Sequence, residues 1–183
     1  MAPLVSILLP IYNGASTLDE ALDSVEAQTM GDFEIVVVDD GSTDATPALL
    51  QRRANPRTRV ISSTQVGLLE ALNLGLEACR APYVARLDAD DICLPQRLER
   101  QLSVMEGDDI AVCGTQVEAF PADDVAEGFR IYVQWQNDLV THDDICREIF
   151  IESPIAHPSS MMRRLELVEM GAYQERGWAE DYD

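Results

Sequence analysis

Two rhythms of apolar and polar positions alternate along the first half of the chain. Short runs dominated by apolar residues, Leu4 to Tyr12, Phe33 to Val38, Arg59 to Ser63 and Tyr83 to Leu87, read as strands. Between them the apolar residues recur at helical spacing. Leu18, Ala21, Leu22 and Val25 mark a helix from Leu18 to Gln28 with Thr17 as its N-cap. A second helix covers Thr43 to Arg53, and Leu68, Leu72 and Leu76 stripe a third from Leu68 to Cys79. Pro95 suits the first position of a fourth, whose buried face is Leu98, Leu102 and Met105. Strands alternating with helices predict βαβ units, a mostly parallel Rossmann-like sheet and a three-layer α/β/α fold. Later the pattern loosens: a strand from Ile110 to Phe120, another from Phe129 to Trp135, a helix from Asp143 to Phe150 and a strand from Ser159 to Arg163 are expected. Trp178 to Asp183 reads as a helix beginning, so the protein is expected to continue past residue 183.

At 183 residues, with 46% hydrophobic and 25% charged, the chain has the size and composition of one folded domain. Thirteen basic against 33 acidic residues leave a net charge of −20, a field that repels nucleic acid and anionic lipid. Every basic residue is arginine, which excludes lysine Schiff bases and Walker-type phosphate loops. The four cysteines form no C-x-x-C pair, and Leu4 to Ile11, with no basic residue before it and broken by Ser6 and Pro10, is expected to be neither a leader nor a membrane span. A cytoplasmic protein is expected, free or held peripherally at the inner face of the membrane.

Candidate chemistry collects where strands end, because an open parallel sheet binds ligands outside the carboxyl ends of its strands. The first strand ends in Pro10, Ile11, Tyr12, Asn13 and Gly14, the second in Asp39, Asp40, Gly41 and Ser42, the fourth in Asp88, Ala89, Asp90 and Asp91. Carboxylates crowded as in Asp88, Asp90 and Asp91 repel one another unless a cation neutralises them or one stays protonated, and their hard oxygens suit Mg²⁺ or Mn²⁺, which in turn take substrate phosphates. A solvated helix-capping turn is the competing reading. Asp39 and Asp40 exceed what capping needs, since Ser42, Thr43 or Asp44 would serve, and a carboxylate there can accept hydrogen bonds from a base or ribose. Tyr12 either stacks on a base or packs. Arg86 shares a strand face with Asp88 and serves either phosphate and carboxylates or a structural ion pair. With no glycine-rich phosphate loop in the chain, metal and carboxylates must take its place.

These residues resemble family 2 glycosyltransferases, inverting enzymes of the nucleotide-diphospho-sugar transferase superfamily with the glycosyltransferase A (GT-A) fold. Five stretches carry the resemblance in order: Val5 to Gly14, Val36 to Asp44, Tyr83 to Asp91 followed by Pro95 to Leu98, His157 to Ser160 with Met162 and Arg163, and Glu180 to Asp183. The resemblance implies a donor half over 1–120 and the start of an acceptor half over 121–183. It implies that Asp40 reads the nucleobase beside Tyr12, with Pro10 and Asp39 near it. Asp88 and Asp90 become the D-x-D pair holding metal and donor diphosphate, supported by Asp91. Asp181, next to Glu180, becomes the general base, although alone that pair reads as a helix-start acidic pair. His157 either borders the diphosphate or acceptor or is simply packed.

The implied activity is transfer of a sugar from a nucleotide-diphosphate sugar, a UDP-sugar expected, to a hydroxyl of a glycan or glycolipid in surface polysaccharide or glycolipid assembly. A catalytically silent nucleotide-sugar-binding module is the alternative. More remote is a phosphatase with an aspartate nucleophile, suggested by Asp39-Asp40-Gly41-Ser42.

Overall fold

The computed structural model describes residues 2–107 and 109–174. Six strands form one sheet: β1 (Val5–Ile11), β2 (Phe33–Asp39), β3 (Thr58–Ser62), β4 (Tyr83–Arg86), β5 (Val112–Cys113) and β6 (Met161–Arg163), in the order β3-β2-β1-β4-β6-β5. The first four are mutually parallel, β6 runs antiparallel to β4, and β5 runs antiparallel to β6. Side-chain alternation divides the core between two faces. Val5, Ile7, Leu9 and Ile11 pack with α1 (Leu18–Glu26), α2 (Thr46–Arg52) and α4 (Arg97–Met105). Leu8, Val36, Val38 and Val84 pack on the other face with α3 (Leu68–Ala78). The expected three-layer architecture follows from this split. The remaining helices are α5 (Glu127–Asp138), α6 (His142–Glu148) and α7 (Arg164–Glu169).

Several local expectations are corrected. The Phe129–Trp135 segment is helical, within α5: alternation suggested a strand, but no sheet edge lies there to pair its backbone, whereas a helix pairs its own. The strand expected from Ile110 to Phe120 shrinks to Val112 and Cys113, because β6 offers only Met161 and Met162 as partners. Past it the chain docks on α5, where Asn137 receives the Val117 N–H at Oδ1 (2.8 Å) and donates from Nδ2 to Val117 O (2.8 Å). Thr17 makes no side-chain cap on α1; its hydroxyl turns back to Gly14 O at 3.4 Å. Pro95 lies in the turn before α4, and α2 begins at Thr46 because Thr43 and Asp44 belong to a turn tied to Asn13. Leu68 is 45% exposed, so the stripe of α3 that meets the sheet starts lower, at Ala71 and Leu72.

Pro10 sits inside a central strand, where a missing N–H usually breaks the ladder. Leu8 O accepts from Leu87 N, so Pro10, two residues on, faces the β4 side. There β4 has already ended at Arg86, opposite Leu8, and no ladder bond is lost. The chain order reverses between β1 and β4, so their diverging ends open a crevice.

Candidate donor-binding cleft

That crevice is a cleft of about 590 Å³ lined by the ends of β1 and β4, Asp40 and the start of α3. Pro10, Tyr12, Asp40, Asp88 and Asp90 line it together, bringing residues from three strand ends into one cleft. Tyr12 is 47% exposed and offers ring surface to the cavity. Asp39 does not line it: its buried carboxylate accepts the Ser42 N–H at 3.0 Å and holds the turn after β2.

Asp40 is gripped by the segment that follows β3. Its Oδ1 accepts from Ser63 Oγ (2.5 Å) and Val66 N (2.7 Å), and its Oδ2 from Gly67 N (2.8 Å). Burial opposes the carboxylate's charge, but these hydrogen bonds outweigh it and hold the group below the ordinary carboxylate range. Gly41, at φ 76°, places the turn against Gln65, whose backbone nitrogen would lie 2.9 Å from any Cβ there. Gln65, Gly67 and Leu68 complete this wall of the cleft. Sequence reasoning passed over Ser63 to Gly67, although its place after a parallel strand put it on the same rim.

On the opposite wall Arg86 is 1% exposed and fixes Asp88 through Nη2 to Oδ1 at 2.7 Å, while Nη1 donates to Leu87 O at 2.5 Å. Asp91 is pushed up to about 6 by burial and by its neighbours Asp88 and Asp90, with Arg86 and Arg97 pulling the other way. His157 sits in a short 3₁₀ turn with its ring tilted on Tyr173 at 5.5 Å. Burial and nearby Arg86 push it down to about 4 against the pull of Asp88, so it is a neutral imidazole at pH 7 and not a fixed cation for phosphate. Glu180 and Asp181 lie outside the described residues.

The donor set fits a hard divalent ion of the kind that takes only one or two protein carboxylates and keeps its remaining positions for water and phosphate. Among the described residues no group of three His, Cys, Asp or Glu side chains is arranged to enclose a metal alone. Asp91 is raised first by burial and then by the like charges of Asp88 and Asp90, and a cation held by Asp88 and Asp90 would relieve only that second part. No helix among the described residues is long and apolar enough to cross a membrane.

Comparison with known proteins places this geometry. The chain is 33% identical over 168 residues to an uncharacterized glycosyltransferase of Haemophilus influenzae, covering 88% of this chain and 52% of the relative. It is 33% identical over 186 residues to the amylovoran biosynthesis glycosyltransferase AmsE of Erwinia amylovora, covering 98% of this chain and 67% of the relative. The chain thus spans about half the length of the first of these relatives. Among solved structures, S. aureus TarS 1-349 superposes with a TM-score of 0.77 at 23% identity, covering all of this chain and 53% of that TarS chain. The mannosyltransferase PcManGT from Pyrobaculum calidifontis, in complex with GDP-Man and Mn²⁺, gives 0.75 at 22%, covering all of this chain and 50% of its own. Both share the GT-A fold found here. The profile of Glycosyl transferase family 2 matches residues 6–171, and the chain belongs to that family of glycosyltransferases.

Proposed function

We propose that this protein is a metal-dependent, inverting glycosyltransferase that moves a sugar from a nucleotide-diphosphate sugar, a UDP-sugar in the first instance, to a hydroxyl of a glycan or glycolipid during surface polysaccharide or glycolipid assembly. The observation that carries the reading is the convergence of Tyr12, Asp40, Asp88 and Asp90 on one cleft at the β1/β4 switch point. AmsE, named for amylovoran biosynthesis, supports the polymer context, and TarS has been solved with UDP-GlcNAc.

In this reading Asp40 accepts a hydrogen bond from the base and Tyr12 flanks it. Arg86 keeps Asp88 in one rotamer at the diphosphate. Asp90 with Asp88 would hold Mg²⁺ or Mn²⁺, which when bound offsets the charge that develops on the diphosphate. Asp181 takes the proton of the acceptor hydroxyl as its oxygen bonds to the anomeric carbon, while the bond from that carbon to the diphosphate oxygen breaks. A single in-line displacement inverts the anomeric centre. Segments 1–120 and 121–183 serve as donor half and start of the acceptor half, and the protein works on the cytoplasmic side, at the membrane when its acceptor is lipid-linked.

Thermal unfolding with nucleoside diphosphate tests this. UDP with Mn²⁺ at ~100 times Kd is expected to add ~2.7 kcal/mol to wild-type stability. Asp90→Ala, or chelator, is expected to abolish the shift while leaving the unliganded melting temperature within a few degrees. An undiminished shift in Asp90→Ala overturns the metal assignment.

A further inference from the structure

An ionised carboxylate offers about four lone-pair sites, two on each oxygen. In Asp40 three are already used inside the protein: Oδ1 takes Ser63 Oγ and Val66 N, and Oδ2 takes Gly67 N. The residue is 6% exposed, yet it lines the cleft. One acceptor site therefore remains for anything that enters, and it lies on Oδ2.

The number of remaining acceptor sites decides which bases fit. Uracil and thymine present a single imide N–H between two carbonyls, which one lone pair satisfies. Guanine presents N1–H and the N2 amino group side by side, a two-donor edge that is fully satisfied only when both carboxylate oxygens are free. Cytosine has no ring N–H at that edge: at the imide position it turns an acceptor N3 toward the carboxylate, and its only donor there, the N4 amino group, is offset and is reached only by shifting the base.

The geometry points to Ser63 as a specificity-setting positioning residue: by occupying the last lone pair of Asp40 Oδ1, its hydroxyl leaves a one-acceptor carboxylate that favours a pyrimidine imide over guanine. The inference rests on Asp40 facing the base, as proposed above. Ser63 does not touch the base. It follows β3 directly, and its N–H donates to Asp39 O at 2.9 Å, so its hydroxyl is held beside the neighbouring carboxylate by a continuation of the sheet ladder. Val66 and Gly67 contribute backbone donors that no substitution short of proline removes, which leaves Ser63, among the described residues, as the side-chain component of the grip.

Calorimetric titration of the protein with UDP, GDP and CDP in MnCl₂ tests both levels. Wild type is expected to bind UDP about tenfold or more tighter than GDP, and UDP far tighter than CDP. Ser63→Ala frees one lone pair on Oδ1 and is expected to bring the UDP-to-GDP ratio toward one, while Ser63→Thr, which keeps the hydroxyl, restores it. A merely structural role would weaken all three nucleotides in proportion and leave the ratio unchanged. CDP binding as tightly as UDP, or no nucleotide binding at all, overturns the placement of Asp40 at the base and this inference with it. CDP discriminated but GDP equal to UDP in wild type, or an unchanged ratio in Ser63→Ala, overturns the role of Ser63 alone.

Discussion

Gly41 decides whether the turn after β2 can meet the segment after β3. Its φ of 76° lies in the left-handed region, and a Cβ would stand 2.9 Å from the backbone nitrogen of Gln65, an atom that cannot swing aside. Gly41→Ala is expected to cost about 1–3 kcal/mol, read as a lower urea midpoint, and to weaken UDP binding in calorimetry because Asp40 shifts within its grip. A variant with wild-type midpoint and affinity would show that the turn does not need this approach. That Asp40, Asp88 and Asp90 meet on one cleft was legible in the sequence because carboxylates at the ends of parallel strands share one rim. The partners of Asp40 were not. Ser63, Val66 and Gly67 meet Asp40 only through the register that sets Asp39 opposite Ser62, and neighbouring residue types carry no trace of that register. Asp39 looks equivalent to Asp40 along the chain, yet the turn consumes it at Ser42.

At the level of elements, α3 lies close on the sheet through Gly75. A Cβ there would come 2.1 Å from Leu8 Cδ1 and 2.9 Å from Val38 Cγ2. Gly75→Ala gains up to ~1 kcal/mol of helix propensity but overpacks a dense interface at ~1–3 kcal/mol, so a net fall in melting temperature is expected, larger for Gly75→Val. Because α3 begins at the cleft, the same variants are expected to displace Leu68 and Gly67 and weaken nucleotide binding. A melting temperature at or above wild type in both variants would refute the close packing. The helices and strands that face both sides of the parallel sheet were readable because each buries an apolar stripe or run on a partner that the βαβ rule supplies. The later elements were not: Phe129, Ile131, Val133 and Trp135 alternate like a strand, yet in α5 Phe129 and Ile131 are 53% and 65% exposed. Alternation signals a strand only where a sheet edge is within reach.

For the molecule as a whole, acid stability carries three separable signatures, read in chelator. His157, held near 4 against an ordinary 6.5, lets the unfolded chain bind the extra proton, so stability falls as pH drops through that window, by at most ~3 kcal/mol. Asp91, held near 6, acts with the opposite sign: its contribution is present below the ordinary 3.8 and is lost as pH rises through 6. Glu34 is 2% exposed; its burial is outweighed by hydrogen bonds from Arg80 and Ser6, which hold it below 4.5, so its contribution is lost only at lower pH. Urea midpoints across pH are expected to show His157→Gln removing the loss between 6.5 and 4, Asp91→Asn removing the opposing gain, and Glu34→Gln flattening the limb below 4.5. Unchanged pH profiles in the variants would contradict these environments. The sheet order has one more consequence, in time. Among the described residues β4 is closed on its outer side by β6 and by Ser160 just before it, whose O accepts the Arg86 N–H. A ribosome adding ~5–20 residues per second takes roughly 4–15 s to pass from Arg86 to Arg163. During that interval β4 is a bare edge, and the buried guanidinium of Arg86 that later orients Asp88 serves first as a charge that discourages other strands from pairing there.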